Sequence, residues 1–419
     1  MTTRRRTYLA LLTKFAARTF LPIAIACAAL SGCALTKQIS PDTYQSTRSA
    51  ESRKLHEIFE SFFEAELVLF PTFATEIGDH RYDDQLEIAI SEEHIAEQRR
   101  LFQRALRRAC EIKLADVDSR DRLYLEVFTR NLQLALDGLR FKQQLMPVRQ
   151  PANLTVEFPL LGSGAGAHPF RTVTDYKNFL KRIAGFETWI DTAIANMRQG
   201  IAIGVMQPRT VIERALPQLQ AMIVTDAKTS LFYQPVVRMP GDFSEVDRNR
   251  LTRAYTEAIE QRIVLAYRRL LSFLEGEYLD KTRNTVALSD LPDGKAWYEY
   301  LVRTQTTTDL TPEEIFQLGM SEIARIKKEM DRMREEQNFT GSLSDFSRYL
   351  TDHVHQRQQH PTETDRREQK KTPAPAEIVD HQAADARSKN KAGVMRSRHV
   401  PLRPAGEIFG DGLRCQCPA

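Results

Sequence analysis

The sequence predicts an all-α protein: an irregular multi-helix body with long loops and little or no β-strand. Three observations carry this reading. Apolar residues recur at helical spacing through most of the chain, helix starts carry Ser, Thr or Pro at capping positions, and strand signals are sparse. Only Asn153-Leu154-Thr155-Val156 and Gln234-Pro235-Val236-Val237 read as short strand candidates.

In chain order, Leu55, Ile58, Phe59 and Phe62 form the first apolar stripe, continued by Leu69, and Pro71 should kink or end that helix. A polar loop follows at Gly78-Asp79-His80-Arg81-Tyr82-Asp83-Asp84. Ser91 has the position of an N-cap for a helix reaching about Lys113, with Ile95, Phe102 and Leu106 inward. A third helix spans about Ser119 to Phe141, and Gln144–Val173 reads as irregular. Thr174 is placed to cap a helix over Asp175–Gln199, ended by Gly200. Pro208–Ile223 reads as a helix disturbed by Pro217, and Ser244 caps a long one to about Leu279. In that long helix Leu251, Tyr255, Ile259 and Leu270 form much of the apolar face. The segment Gly294–Thr304 brings Trp297, Tyr298 and Tyr300 up to the best-marked helix start in the chain. There Thr311 is the N-cap, Pro312 the first helical residue and Glu314 completes a capping box. Ile315, Leu318, Ile323, Ile326, Met330 and Met333 then predict a buried face.

Composition is that of a folded protein, 42% hydrophobic and 27% charged. The net charge of +4 is local in origin. Residues 1–32 contain Arg4, Arg5, Arg6, Lys14 and Arg18 and no acid, so without these 5 cations the charge is 4 − 5 = −1. Nothing in that balance calls for nucleic acid. The basic start and the apolar run Phe20–Leu30, too short to span a bilayer comfortably, form a secretory signal. It ends in Leu30-Ser31-Gly32-Cys33, the cleavage and acylation pattern of bacterial lipoproteins. Small residues before the cut fit a narrow protease cleft, and the Cys33 thiol would carry the lipid. The alternative is a plain signal peptide with a chance cysteine. Ala34 rather than Asp follows Cys33, which resembles lipoproteins passed to the outer membrane, facing the periplasm. Cys110 reads as a small buried hydrophobe, and Cys415 and Cys417 stand too close together for a framework disulfide. The organisation is therefore a signal over 1–32, a polar tether over 33–50, a helical domain over 51–352, and a tail over 353–419. That tail has one aromatic residue, Phe409, and 12 Lys or Arg against 8 Asp or Glu, and reads as disordered.

Several stretches together carry a resemblance: Leu55-His56-Glu57-Ile58-Phe59, then Pro71-Thr72-Phe73-Ala74-Thr75-Glu76-Ile77-Gly78-Asp79-His80-Arg81-Tyr82-Asp83-Asp84. Pro169-Phe170-Arg171-Thr172 with Asp175-Tyr176, Arg198-Gln199-Gly200-Ile201-Ala202-Ile203-Gly204, and Thr307-Thr308-Asp309-Leu310-Thr311-Pro312-Glu313-Glu314-Ile315 complete it. In order and spacing over roughly Leu55–Asp352 they resemble the bacterial family catalogued as domain of unknown function 885. The resemblance implies a largely helical protein, often a secreted lipoprotein, similar to zinc metallopeptidases of the His-Glu-x-x-His type. It implies a metal site in the C-terminal half, with zinc-bound water attacking a peptide carbonyl and a glutamate as general base. This sequence departs from that pattern. Neither His-Glu-x-x-His nor Pro-Gly-His occurs anywhere in it, so no metal ligand carries over and no cofactor is expected. The landmarks stop near Asp352, where a lost or shifted reading frame would produce such a tail.

Few residues remain as candidates for chemistry. Asp79, His80, Arg81 and Tyr82 are the densest polar group and could line a cleft; local hydrogen bonding is the plainer reading. His353, His355 and His360 have no partner at fixed spacing to close a metal site. Asp309 and Thr311 are explained by capping. Ser163, in Gly162-Ser163-Gly164-Ala165-Gly166, lacks the strand and helix of a nucleophile elbow, and the glycines lack the Lys of a phosphate loop. No catalytic residue is assigned. The expectation is a lipid-anchored helical protein without peptidase activity; the alternative is a non-enzymatic lipoprotein that binds peptides or a partner.

Overall fold

The computed structural model describes residues 48–149 and 153–359. Over them the chain is helical, with no strand and a single isolated bridge, Pro208 to Arg283. It divides into two compact units between Thr307 and Thr308, a division that the reading of 51–352 as one domain does not contain.

The first unit opens with α1 (Ala50–Leu69), capped by Ser49, whose Oγ accepts from Ser52 N–H at 3.1 Å. Pro71 ends α1 by opening α2 (Pro71–Glu76), where its missing N–H costs no helical bond. Ser91 caps α3 (Glu92–Cys110), and α4 (Ser119–Gly138) follows. These helices bury Leu55, Phe59, Phe102, Leu106, Phe128 and Leu132 together. Phe128 meets Phe59 and Phe62 edge-on, at 4.8 and 5.2 Å. Cys110 is half-buried beside this cluster.

The stretch expected to be irregular contains a helix, α5 (Leu154–Gly162). The strand reading of Asn153–Val156 is thereby corrected: Asn153 Oδ1 accepts the N–H of Thr155 at 2.9 Å and caps the helix. Phe158 then stacks on Phe186 at 4.4 Å in the core. Helix α6 (Val173–Ile203) begins two residues earlier than the sequence suggested. Thr172, not Thr174, forms its cap, in a capping box with Asp175. Gly200 does not end it. A Cβ there would lie 2.5 Å from the Val205 carbonyl oxygen, so this glycine permits a close backbone crossing. The stop is Gly204, in the left-handed region at φ 75°.

Helix α7 (Arg209–Gln220) tolerates Pro217, and Gln234–Val237, the other strand candidate, forms a single helical turn, α8. Pro235 sits in its first turn, where proline favours a helix start. The long helix capped by Ser244 is interrupted: α9 (Glu245–Ala258), a π turn (Ile259–Ile263), α10 (Val264–Phe273) and a second π turn (Leu274–Tyr278). Its expected apolar face, Leu251, Tyr255, Ile259 and Leu270, is buried against α6. Helix α11 (Gly294–Thr306) packs Trp297 and Tyr300 on Phe141.

The second unit is a hairpin of α12 (Pro312–Glu336) and α13 (Leu343–Gln359). The capping box between Thr311 and Glu314 is present. The buried face is not: Leu318, Ile323, Ile326 and Met333 are 44, 61, 47 and 45% exposed. In this unit α13 packs at the turn, where Phe346 and Tyr349 meet Phe339, and leaves most of the α12 stripe uncovered. Helix α13 also runs through 353–359, so the change of composition at His353 does not end the helix. The signal, Cys33, most of the tether, Cys415, Cys417 and the disordered reading of 360–419 lie outside the described residues. No helix among the described residues is long and apolar enough to cross a membrane.

Candidate functional site

The polar loop after α2 is positioned by hydrogen bonds to its own backbone. Gly78 turns the chain at φ 83°, and Asp79 caps a 3-10 turn over His80–Tyr82, its Oδ1 accepting from Arg81 N–H at 3.2 Å. The Arg81 guanidinium donates to Asp79 at 2.6 Å and to Glu64 of α1 at 2.8 Å, which raises its pKa further. It also lies over the Tyr82 ring at 5.3 Å. Asp79, Arg81 and Tyr82 therefore fix the loop. His80 is different. Its side chain is 51% exposed, and its Nδ1–H donates to Asp83 at 2.9 Å. Asp83 is 2% exposed and accepts from Thr75 Oγ at 2.6 Å on its other oxygen. A buried carboxylate thus orients an imidazole and leaves its Nε2 as an acceptor.

His80 borders a cavity of about 460 Å³, with Gly164, His168, Phe170, Arg171 and Arg238 on its other walls. Three segments distant in sequence build it: the α2 end, the glycine-rich stretch after α5, and the α8 turn. Gly164 adopts φ 76°, which lets the stretch turn back over the site. Arg171 and Arg238 are both exposed at the rim. Beside them Asp175 accepts the N–H groups of Arg171 and Thr172 at 2.8 Å each, and Thr172 Oγ accepts from Asp175 N–H at 3.2 Å.

Behind this cavity lies the group that the sequence reading missed. Arg182, 1% exposed, donates from the middle of α6 to Gln85 O at 2.9 Å, His168 Nδ1 at 2.9 Å and Thr75 Oγ at 2.5 Å. Pro71 O and Tyr82 O are further acceptors, at 3.4 and 3.3 Å. Because Arg182 can only donate, His168 Nδ1 accepts, and its Nε2–H donates to Asp175 O at 3.0 Å. Burial first, then the Arg182 charge, lowers the His168 pKa to about 4, while the Asp175 carbonyl opposes the shift. His168 is a neutral structural imidazole. A signal existed: Arg182 falls on the same helical stripe as Phe179, Ile183 and Phe186.

The described residues do not fit a zinc site. Both nitrogens of His168 are engaged, and no group of three or more His, Cys, Asp or Glu is placed to hold a metal among them. The one His-Glu pair, His56-Glu57, has Glu60 where a second histidine would be needed. His56 Nε2 is bonded to the buried carboxylate of Asp121 at 3.0 Å. Ser163 donates to Leu160 O at 2.9 Å and accepts from Ala165 N–H, and closes α5. Thr311 is the α12 cap.

No curated protein matches the chain. Among solved structures, a candidate lipoprotein of Colwellia psychrerythraea superposes with a TM-score of 0.62 at 16% identity, over 72% of this chain and 54% of that one. At that identity the likeness is one of fold, and the chain spans about half the length of its neighbour. The family model described as "Bacterial protein of unknown function (DUF885)" matches residues 71–407, a range that takes in 353–407 beyond the last sequence landmark. With most of its length matched, the chain belongs to the bacterial DUF885 family.

Proposed function

We propose that this chain is a lipid-anchored protein of the bacterial cell envelope, held by acylated Cys33 on the outer membrane facing the periplasm. Its helical body binds short peptides without cleaving them. The anchor rests on Leu30-Ser31-Gly32-Cys33, and the lipoprotein neighbour is in keeping with it. The binding reading rests on one observation: the His80 cavity carries two exposed guanidinium groups, Arg171 and Arg238, at its rim. Guanidinium groups suit a terminal carboxylate, Phe170 offers an apolar wall, and His80 Nε2 can accept from a peptide N–H. The absence of His-Glu-x-x-His and Pro-Gly-His supports a non-hydrolytic role.

Two measurements test this. Growth with an alkyne fatty acid should label the protein, and Cys33→Ala should abolish the label; labelling that survives the change refutes the anchor. Short peptides with a free C-terminus should bind at least tenfold tighter than their amides, and Arg238→Gln should remove most of that difference. Equal affinity for acid and amide refutes the carboxylate reading. Peptide cleavage that a chelator stops refutes the non-hydrolytic one.

A further inference from the structure

The uncovered face of α12 has the period of a coiled-coil seam. Phe316, Gly319, Ile323, Ile326, Met330 and Met333 recur at alternating steps of three and four residues, the a and d positions of three heptads. Phe316, Ile323, Ile326 and Met333 are 58, 61, 47 and 45% exposed, and Met330 is half-buried. Of the remaining apolar stripe, Ile315 takes a g position and Leu318 lies off the seam.

The flanking positions specify both the partner and its direction. The g positions are Ile315, Glu322 and Glu329, and the e positions are Met320, Lys327 and Arg334. In two parallel, in-register copies each g residue meets the e residue five places on in the other helix. Ile315 then meets the partner's Met320, Glu322 the partner's Lys327, and Glu329 the partner's Arg334. These are one apolar and two opposite-charge contacts, each made twice. Antiparallel copies would set g against g and e against e, bringing acid to acid and base to base. Glu322 and Glu329 pair within α12, with Arg325 at 2.8 Å and Arg332 at 2.5 Å, yet stay 47 and 50% exposed and open to a second cation. Arg334 is turned to the hairpin loop, donating to Gly341 O at 2.8 Å, so Glu322 and Lys327 are the sharper test of the pattern.

We propose that α12 is a self-association surface, along which two copies of this chain pair in parallel and in register from Phe316 to Met333. This surface is separate from the His80 cavity and does not depend on the peptide reading.

Sedimentation of the full chain carrying Cys33→Ser, which takes no acyl group, should show a reversible monomer–dimer equilibrium. Ile323→Glu, at a 61% exposed position, should keep the helical spectrum and weaken the dimer at least tenfold. Gly319→Leu, where an added Cβ meets nothing within 4 Å, should fill a d position and tighten the dimer at least tenfold. Glu322→Lys and Lys327→Glu should each weaken it several-fold at low salt, and the two changes together should restore it. The proposal is overturned if the chain stays monomeric at about 100 µM. If Ile323→Glu then lowers the urea midpoint of that monomer, the face is covered within the chain instead. Single charge reversals that leave the dimer unchanged also overturn it, because antiparallel pairing gives that result.

Discussion

Replacing Arg182 with methionine should destabilise the first unit more than any surface change, and the structure sets the magnitude. Methionine keeps the length and apolar contacts of the stem but removes every donor. Gln85 O, His168 Nδ1, Thr75 Oγ, Pro71 O and Tyr82 O lose their common partner, and Asp83, with the guanidinium 3.8 Å away, loses its nearest buried cation. A single buried acceptor left unpaired costs about 1–3 kcal/mol, but the losses do not add, because carbonyls shift and water enters. Removing one partner of a buried ion pair costs about 3–5 kcal/mol, and that range is the expected loss. It corresponds to a fall in melting temperature of about 10 °C for a unit of this size. Urea unfolding followed by circular dichroism measures it. Adding Asp83→Asn removes the stranded charge, so the double variant should lose at least about 1 kcal/mol less than the sum of the singles. A loss under about 1 kcal/mol for Arg182→Met, or strict additivity with Asp83→Asn, would refute the view that this guanidinium holds the loop.

Two further changes probe the same body. His168 has a folded pKa of about 4 against 6.5 when unfolded, so the unfolded chain takes up its proton first as pH falls. Its contribution is complete above about pH 6.5 and is lost on acidification towards pH 4, by about 3 kcal/mol. Urea midpoints compared between native protein and His168→Gln should diverge at pH 7 and converge near pH 4; parallel profiles would exclude a neutral buried His168. Gly200→Ala would place a Cβ 2.5 Å from Val205 O and 3.2 Å from Leu145 O, and should cost about 1–3 kcal/mol, whereas Gly241→Ala, with nothing within 4 Å, should cost almost nothing. Thermal melts of the pair settle it.

The all-α class was legible because apolar periodicity and caps agree over most elements. Ser91, Ser244 and Thr311 each cap the helix assigned to them. The failures have physical causes. Val156 and Val236-Val237 are β-branched, but local caps and proline placement outweigh that weak preference once Phe158 and Phe232 are packed. Gly200 looked like a stop because its role, admitting another backbone, is non-local. The α12 stripe was correct as amphipathicity; amphipathicity states which face can be buried and says nothing about whether a partner is there. The His80 cavity was not legible at all, since it joins segments separated by tens of residues.

The loop Gly78–Asp84 shows why polar density in a sequence is a poor guide to chemistry. Asp79 caps a turn, Arg81 closes an exposed ion-pair cluster, and Asp83 is buried between Thr75 and His80. Asp84 pairs with Lys181 at 3.0 Å. From this loop, Gly78 and His80 line the cavity of about 460 Å³. That cavity shares a scaffold with a second one, of about 430 Å³, between the end of α1, Gln85–Glu87 and the start of α3: Arg182 donates to Pro71 and Gln85, which border the second, and to Thr75 and His168, which border the first. One buried guanidinium therefore sets the walls of both. Its role requires an arginine, because five acceptors in different directions need a fixed fork of donors that a lysine ammonium cannot supply.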